Sequence, residues 1–245
     1  MLTKEELEKN LDPWPLEWIS RERLTSIVTD LVKEATPKTS GLRYKNKLDP
    51  FSAIFDMAMN QTSFEEWFKQ EIRRQQQKTM QNAIGKLHQQ VLGSIAGWED
   101  CGVGHIIDLQ NAEKKIFAEV KNKFNTVKAS DQYDLYDTLA QQRTRSRSYE
   151  GFTGYYVQII AKETMNRPFT PSNHKHGSRI EPNEAIREID GVSFYTLATG
   201  CPTALADLYK VLPYVLQEVC PDFDAKAVVT SESFMTLFEE TFSNK

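Results

Sequence analysis

Residues 104–121, GHIIDLQNAEKKIFAEVK, limit the possible folds of this chain more than any other stretch. They read as two strands joined by a tight turn: an apolar segment 105–109 with Asp108 near its tip, a polar turn 110–114, and a second strand 115–123. In the second strand Ile116, Ala118 and Val120 alternate with Phe117, Glu119, Lys121 and Lys123. Alternate side chains of a strand point to opposite faces, so Glu119 and Lys121 share one. A hairpin folds Asp108 back towards them. Two carboxylates and an amine then converge at one end of a small sheet.

Those residue types suit metal-assisted hydrolysis of a phosphodiester. Magnesium prefers oxygen ligands and takes one or two carboxylates while keeping water in other positions. Asp108 and Glu119 could supply the carboxylates and the Val120 carbonyl a third oxygen. Lys121 could orient an attacking water or steady a phosphate. The acid-x-Lys spacing is common by itself, recurring at Glu113–Lys115 and Asp224–Lys226, where a surface ion pair explains it. Glu119 differs because it sits in a strand-like run opposite another acid, where burying a charge is costly unless it is paired or bound to metal.

The segment resembles the core of the PD-(D/E)xK nuclease superfamily, with Asp108 as the acid and Glu119-Val120-Lys121 as ExK. Ile107 stands where the name-giving proline would be, a position that varies in the superfamily. The extension EVKNKFNT at 119–126 and the helix after it resemble a type II restriction endonuclease family whose members cut short GC-rich sites of the GGNCC kind. The resemblance covers 81–162 well and the remainder loosely. It implies an α/β (α+β) fold: a restriction-endonuclease-like mixed β-sheet core flanked by helices, with helical N-terminal and C-terminal additions. It also implies a Mg2+-dependent endodeoxyribonuclease that acts on double-stranded DNA as a homodimer.

Length and composition are compatible with this. The 245 residues suit one restriction-endonuclease-like domain: a helical N-terminal region over 1–95, a catalytic core over 96–162, and a recognition loop with a helical C-terminal region over 163–245. The net charge of −4 disfavours a protein that coats nucleic acid non-specifically but allows a basic cleft. The start MLTKEELEKNLD is acidic and polar, unlike a signal peptide, and no apolar run is long enough to cross a membrane. Cys101, Cys201 and Cys220 have no metal-ligand spacing, and their odd number suits a reducing cytoplasm.

Helical periodicity predicts a helix from Ser20 to about Ala35, a short helix from Pro50 to Met59, and a long one after Ser63, where Ser63 and Glu66 form a capping box. The polar run 73–79 is either an exposed stretch or a break in that helix. Glu71 and Glu99 are candidate extra acids. A short strand is expected within 97–103, a helix from Ser130 or Asp131 to about Arg147, and a strand within 151–162 that returns parallel to the hairpin. The irregular stretch 165–191 reads as a binding loop, 192–198 as a strand, and Pro202 as the first turn of a helix kinked at Pro213.

Candidate DNA contacts are Lys123, Asn125, Arg143, Arg145, Lys175 and Arg179, with Lys38, Arg43, Lys45 and Lys47 in the basic loop 36–49. Lys175 and Arg179 are the first choices for reading bases, since arginine can hold guanine by two hydrogen bonds. A zinc site at His174 and His176 lacks further ligands. Two other functions fit the same residues: a structure-selective or repair nuclease of the same fold, and a non-catalytic interaction protein in which Asp108, Glu119 and Lys121 merely pair.

Overall fold

A computed structural model describes residues 11–36, 48–102, 104–145, 147–173 and 177–242. The chain divides into two compact units, Thr29–Ile84 and the remainder, Met1–Val28 with Gly85–Lys245. In chain order the helices and strands that precede the hairpin are α1 (Arg21–Ala35), α2 (Pro50–Asn60), α3 (Phe64–Leu92) and β1 (Glu99–Asp100). Next come β2 (Leu109–Asn111), β3 (Ile116–Lys123), α4 (Gln132–Arg145), a 3-10 turn (Arg147–Tyr149) and β4 (Thr153–Ile160). The chain ends with β5 (Asn166–Pro168), β6 (Ser172–Asn173), β7 (Ser178–Arg179), β8 (Ile186–Asp190), α5 (Gly191–Thr199), α6 (Ala204–Val219), α7 (Ala225–Val229) and α8 (Glu232–Phe242).

The fold is α/β with a mixed six-stranded sheet in the order β1-β2-β3-β4-β8-β5. β2 runs antiparallel to β3, while β3, β4 and β8 are mutually parallel. α4 is the crossover between β3 and β4, as the parallel pairing requires. On one sheet face Phe117, Tyr156 and Ile186 pack with Leu139 of α4, Phe152 and Phe169 in one buried cluster. On the other, Tyr155 meets Phe194 of α5 at 6.0 Å between ring centres.

Gly154 lets Phe117 into that cluster. A Cβ at residue 154 would lie 2.6 Å from the Phe117 ring and 3.2 Å from Ile186 Cδ1. Alanine has more β propensity than glycine, but the clash opposes it. Gly154→Ala is expected to destabilise the protein by about 1–3 kcal/mol, the usual cost of overpacking a close-packed core, measurable as a lower urea midpoint at unchanged slope.

The capping box forms as expected: the Ser63 N–H donates to Glu66 Oε2 at 3.0 Å and the Glu66 N–H to Ser63 Oγ at 3.3 Å. The polar run 73–79 is an exposed stretch of α3, which continues unbroken through it. Three boundaries differ from expectation. The first hairpin strand is Leu109–Asn111 rather than 105–109, so Asp108 precedes it. Asn111, whose polarity suits a turn, is instead buried, and its Oδ1 accepts the Lys114 N–H at 2.8 Å, closing a four-residue loop. The stretch 192–198 is helix, not strand. Asp190 caps that helix, its Oδ1 accepting the Ser193 N–H at 2.9 Å, and the strand ends at the cap. Accordingly 165–191 is not loop throughout, since residues 186–190 form β8 beside β4.

A part-buried histidine against a buried tyrosine, outside the sheet, gives the fold a pH dependence. His88 Nδ1 lies 2.9 Å from the Tyr195 hydroxyl, and the two rings meet edge to face. Burial pushes the imidazole pKa down from 6.5 to about 4. Below pH 6.5 the unfolded chain takes up a proton that the folded chain refuses until about pH 4, so stability falls with pH across that window. The full effect is up to about 3 kcal/mol. Thermal melts of wild type and His88→Gln between pH 7.5 and 4.5 should show the wild type losing stability faster.

Candidate active site

Asp108 reaches β3 through two backbone contacts. Its N–H donates to the Ala118 carbonyl at 3.0 Å, extending the β2–β3 ladder by one residue. Its Oδ2 accepts the Val120 N–H at 2.7 Å, which turns the carboxylate towards the strand that carries Glu119. Lys121 Nζ lies 2.5 Å from Glu119 Oε1, as two residues on one strand face can. The Glu119 side chain is 16% exposed and that of Lys121 31% exposed, so the amine keeps access to solvent while the acid largely does not. The hairpin therefore brings together all three side chains that the sequence put there.

The pair of acids is strained electrostatically. Burial raises the pKa of Asp108; the Val120 N–H and Lys121 partly offset this, and Asp100 adds to it. Burial also raises the pKa of Glu119, with the Asp108 charge next in importance and Lys121 opposing both. Two carboxylates that share a half-buried site with one cation repel each other, and burial adds to the cost of their charges. A divalent cation would offset that repulsion. The donor set of two carboxylates and a nearby backbone carbonyl fits an oxygen-seeking ion that keeps part of its water shell. Among the described residues no group of three or more His, Cys, Asp or Glu is arranged to hold a metal, so an ion here would depend on water for its remaining ligands.

Two residues beside the trio carry no mark in the sequence. Asp100 accepts the Gln89 amide and the Gly102 N–H, each at 2.8 Å, and its charge reaches Asp108. It lies in WEDCG with no periodicity to distinguish it, beside the candidate acid Glu99, which accepts Gln110 Nε2 at 2.6 Å. Tyr156 is opposite Glu119 in the β3–β4 register and opposite Glu188 in the β4–β8 register. Its hydroxyl is buried without a hydrogen-bond partner among the described residues. Burial first, then the Glu188 and Glu119 charges, push its pKa up to about 12. A buried unsatisfied hydroxyl costs about 1–3 kcal/mol, and one beside a carboxylate pair suits a site that takes up water or an ion.

The other expected contacts divide by position. Lys123 and Asn125 are exposed at the end of β3 and in the turn after it, near Lys121 in the chain. Arg143 donates from Nε to the Phe152 carbonyl at 2.8 Å, tying α4 to the start of β4. Arg179 is exposed on β7, in a two-stranded ribbon with β6. Arg145 lies at the end of α4. Lys175, His174 and His176 fall outside the described residues, as do Lys38, Arg43, Lys45 and Lys47. Glu71, the other candidate acid, binds Arg74 and Gln75 on its own helix.

A mixed sheet in which a short hairpin presents Asp-(x)n-Glu-x-Lys beside a helical crossover is the layout of a restriction-endonuclease-like nuclease. The model of the Eco47II restriction endonuclease family matches residues 16–221. The chain belongs to that family and is a type II, site-specific DNA endonuclease. It is 42% identical over 210 residues to the type II restriction enzyme Eco47II of Escherichia coli, covering 83% of this chain and 87% of that protein. It is 27% identical over 238 residues to the type II restriction enzyme Sau96I of Staphylococcus aureus, covering 94% and 90%. Restriction endonucleases act on double-stranded DNA and generally use a divalent metal ion. No helix among the described residues is long and apolar enough to cross a membrane.

Proposed function

We propose that the chain is a Mg2+-dependent homodimer in the cytoplasm that cuts both strands of a short, GC-rich palindrome of the GGNCC kind. The single observation carrying the catalytic assignment is the convergence of Asp108, Glu119 and Lys121 at one end of the sheet. Asp108, Glu119 and the Val120 carbonyl would hold the ion. The ion supplies a lowered water pKa and offsets charge developing on the phosphate, worth several kcal/mol. Asp108 is oriented by the Val120 N–H, which also favours its charged form. Glu119, now paired with Lys121, would turn a carboxylate oxygen to the ion. Lys121, on a solvent-accessible stem, then donates to the attacking water or to a phosphate oxygen. Lys123, Asn125, Arg143 and Arg145 contact the DNA backbone, and Lys175 and Arg179 read bases.

The palindrome and the dimer support each other: a two-fold protein matches a two-fold site and offers one active site per strand. Supercoiled plasmid incubated with magnesium is expected to give discrete fragments, with none in EDTA. Sequencing the fragment ends reads the site and the cut position. A smear, or preference for branched over duplex DNA in competition, would turn the assignment towards a structure-selective nuclease.

A further inference from the structure

Helix α2 carries its large apolar side chains on the side that no other described residue buries. Its inner side carries Ala53, which is buried, and Asp56, whose Oδ2 accepts the Trp67 indole N–H at 3.1 Å. On the other side Phe51 is 74% exposed, Ile54 61%, Phe55 70% and Met59 81%. An α-helix turns 100° per residue, so Phe51, Ile54, Phe55 and Ala58 form one stripe roughly opposite Ala53 and Asp56, with Met59 at its edge. An apolar stripe along a helix normally faces a packing partner.

We infer that this stripe is the two-fold contact between two copies of the chain. The inference rests on the homodimer proposed above and locates its interface. Three features favour a second copy as the occupant. The helix PFSAIFDMAMN contains no basic residue, so a DNA backbone would find no counter-charge on it. Its one acid, Asp56, lies on the side away from the stripe, where it accepts the Trp67 indole N–H, and Asp49 caps its start by accepting the Phe51 and Ser52 N–H groups, so a two-fold contact along the stripe would not set like charges against each other. The area also fits. At roughly 200 Å² per large side chain, the four exposures amount to about 600 Å² per chain, or about 1,200 Å² for a pair, the lower edge of stable specific interfaces. That is also at the top of the range of apolar patches that monomers leave exposed.

The test is the mass in solution by light scattering for wild type and for the double variant Phe51→Lys, Phe55→Lys, over a range of concentrations. The wild type is expected at twice the 28.2 kDa chain mass and the variant at the chain mass, with unchanged helical circular dichroism. The dimer dissociation constant should rise by about a hundredfold or more, as when two central aromatic anchors are lost. On supercoiled plasmid the variant should accumulate nicked circles where the wild type makes linear DNA. If the variant stays dimeric with wild-type affinity, the stripe is not the interface and the homodimer stands. If the wild type is a single chain both alone and on its DNA site, the homodimer reading itself falls and the inference with it. Should the double variant misfold, Ala58→Cys decides: a disulfide-linked dimer on mild oxidation, absent from wild type, supports the contact, and no such dimer overturns it.

Discussion

Glu119→Gln abolishes DNA cleavage while making the metal-free protein more stable near neutral pH. The glutamine keeps the shape and loses the charge. Without that charge the proposed ion would no longer be held, and losing the several kcal/mol it would contribute to phosphoryl transfer would slow the rate by about a thousandfold or more. The stability change has the opposite sign. Glu119 and Asp108 both titrate above their ordinary values, because burial and mutual repulsion disfavour two charges there. For an acid whose pKa is raised on folding, the folded protein binds more protons than the unfolded chain between the ordinary and the raised value. Stability therefore falls as pH rises through that window. Removing one acid relieves the cost at pH 7 and flattens the dependence. Plasmid cleavage and a denaturant melt in EDTA, at pH 7 and pH 5, measure both effects. A merely structural ion pair would respond in the opposite way: breaking the contact of Glu119 with Lys121 would lower stability and leave cleavage intact.

Lys121→Met separates chemistry from metal binding. The amine lies 2.5 Å from Glu119 Oε1, an oxygen that the proposed ion would take. Methionine has nearly the same length and no charge, so the ion meets less competition. Binding of calcium or manganese should be retained or tightened. Cleavage should fall by about 10²- to 10⁴-fold, the range for loss of a positioned proton donor or acceptor. The metal-free variant should also be less stable at neutral pH, since the two acids lose the cation that offsets their repulsion. Calorimetric titration with calcium, alongside single-turnover cleavage with magnesium, reads both sides. A variant that lost metal affinity and activity together would make Lys121 a structural prop.

The central hairpin is legible in the sequence because its signals are local. Alternation over Ile116–Lys123 sets the face of Glu119 and Lys121, and a short polar turn places Asp108 opposite them. The position of Asp108 is less legible. It is held by the Val120 N–H just outside β2, a side-chain contact that periodicity cannot show. The region after residue 162 is hard to interpret for a different reason. IREID has too little alternation to announce a central strand, and what makes it one is parallel pairing with β4, far away in sequence. The β-branched and aromatic run VSFYTLA then looks like the missing strand. Capping by Asp190 makes it a helix, and its apolar residues serve the sheet by packing, as Phe194 does against Tyr155. Tyr156 and Asp100 pass unnoticed because their significance lies in burial and in the neighbours the sheet gives them. Helix α2 is expected as a short helix, but only the exposure of Phe51, Ile54, Phe55 and Met59 shows that one side lacks a partner among the described residues.

Anomalous scattering from a crystal soaked in manganese tests the account at its centre. One strong peak is expected about 2.1 Å from a carboxylate oxygen of Asp108 and one of Glu119, with the Lys121 amine moved off Glu119. A peak elsewhere, or none while Glu119 still holds Lys121, would contradict it.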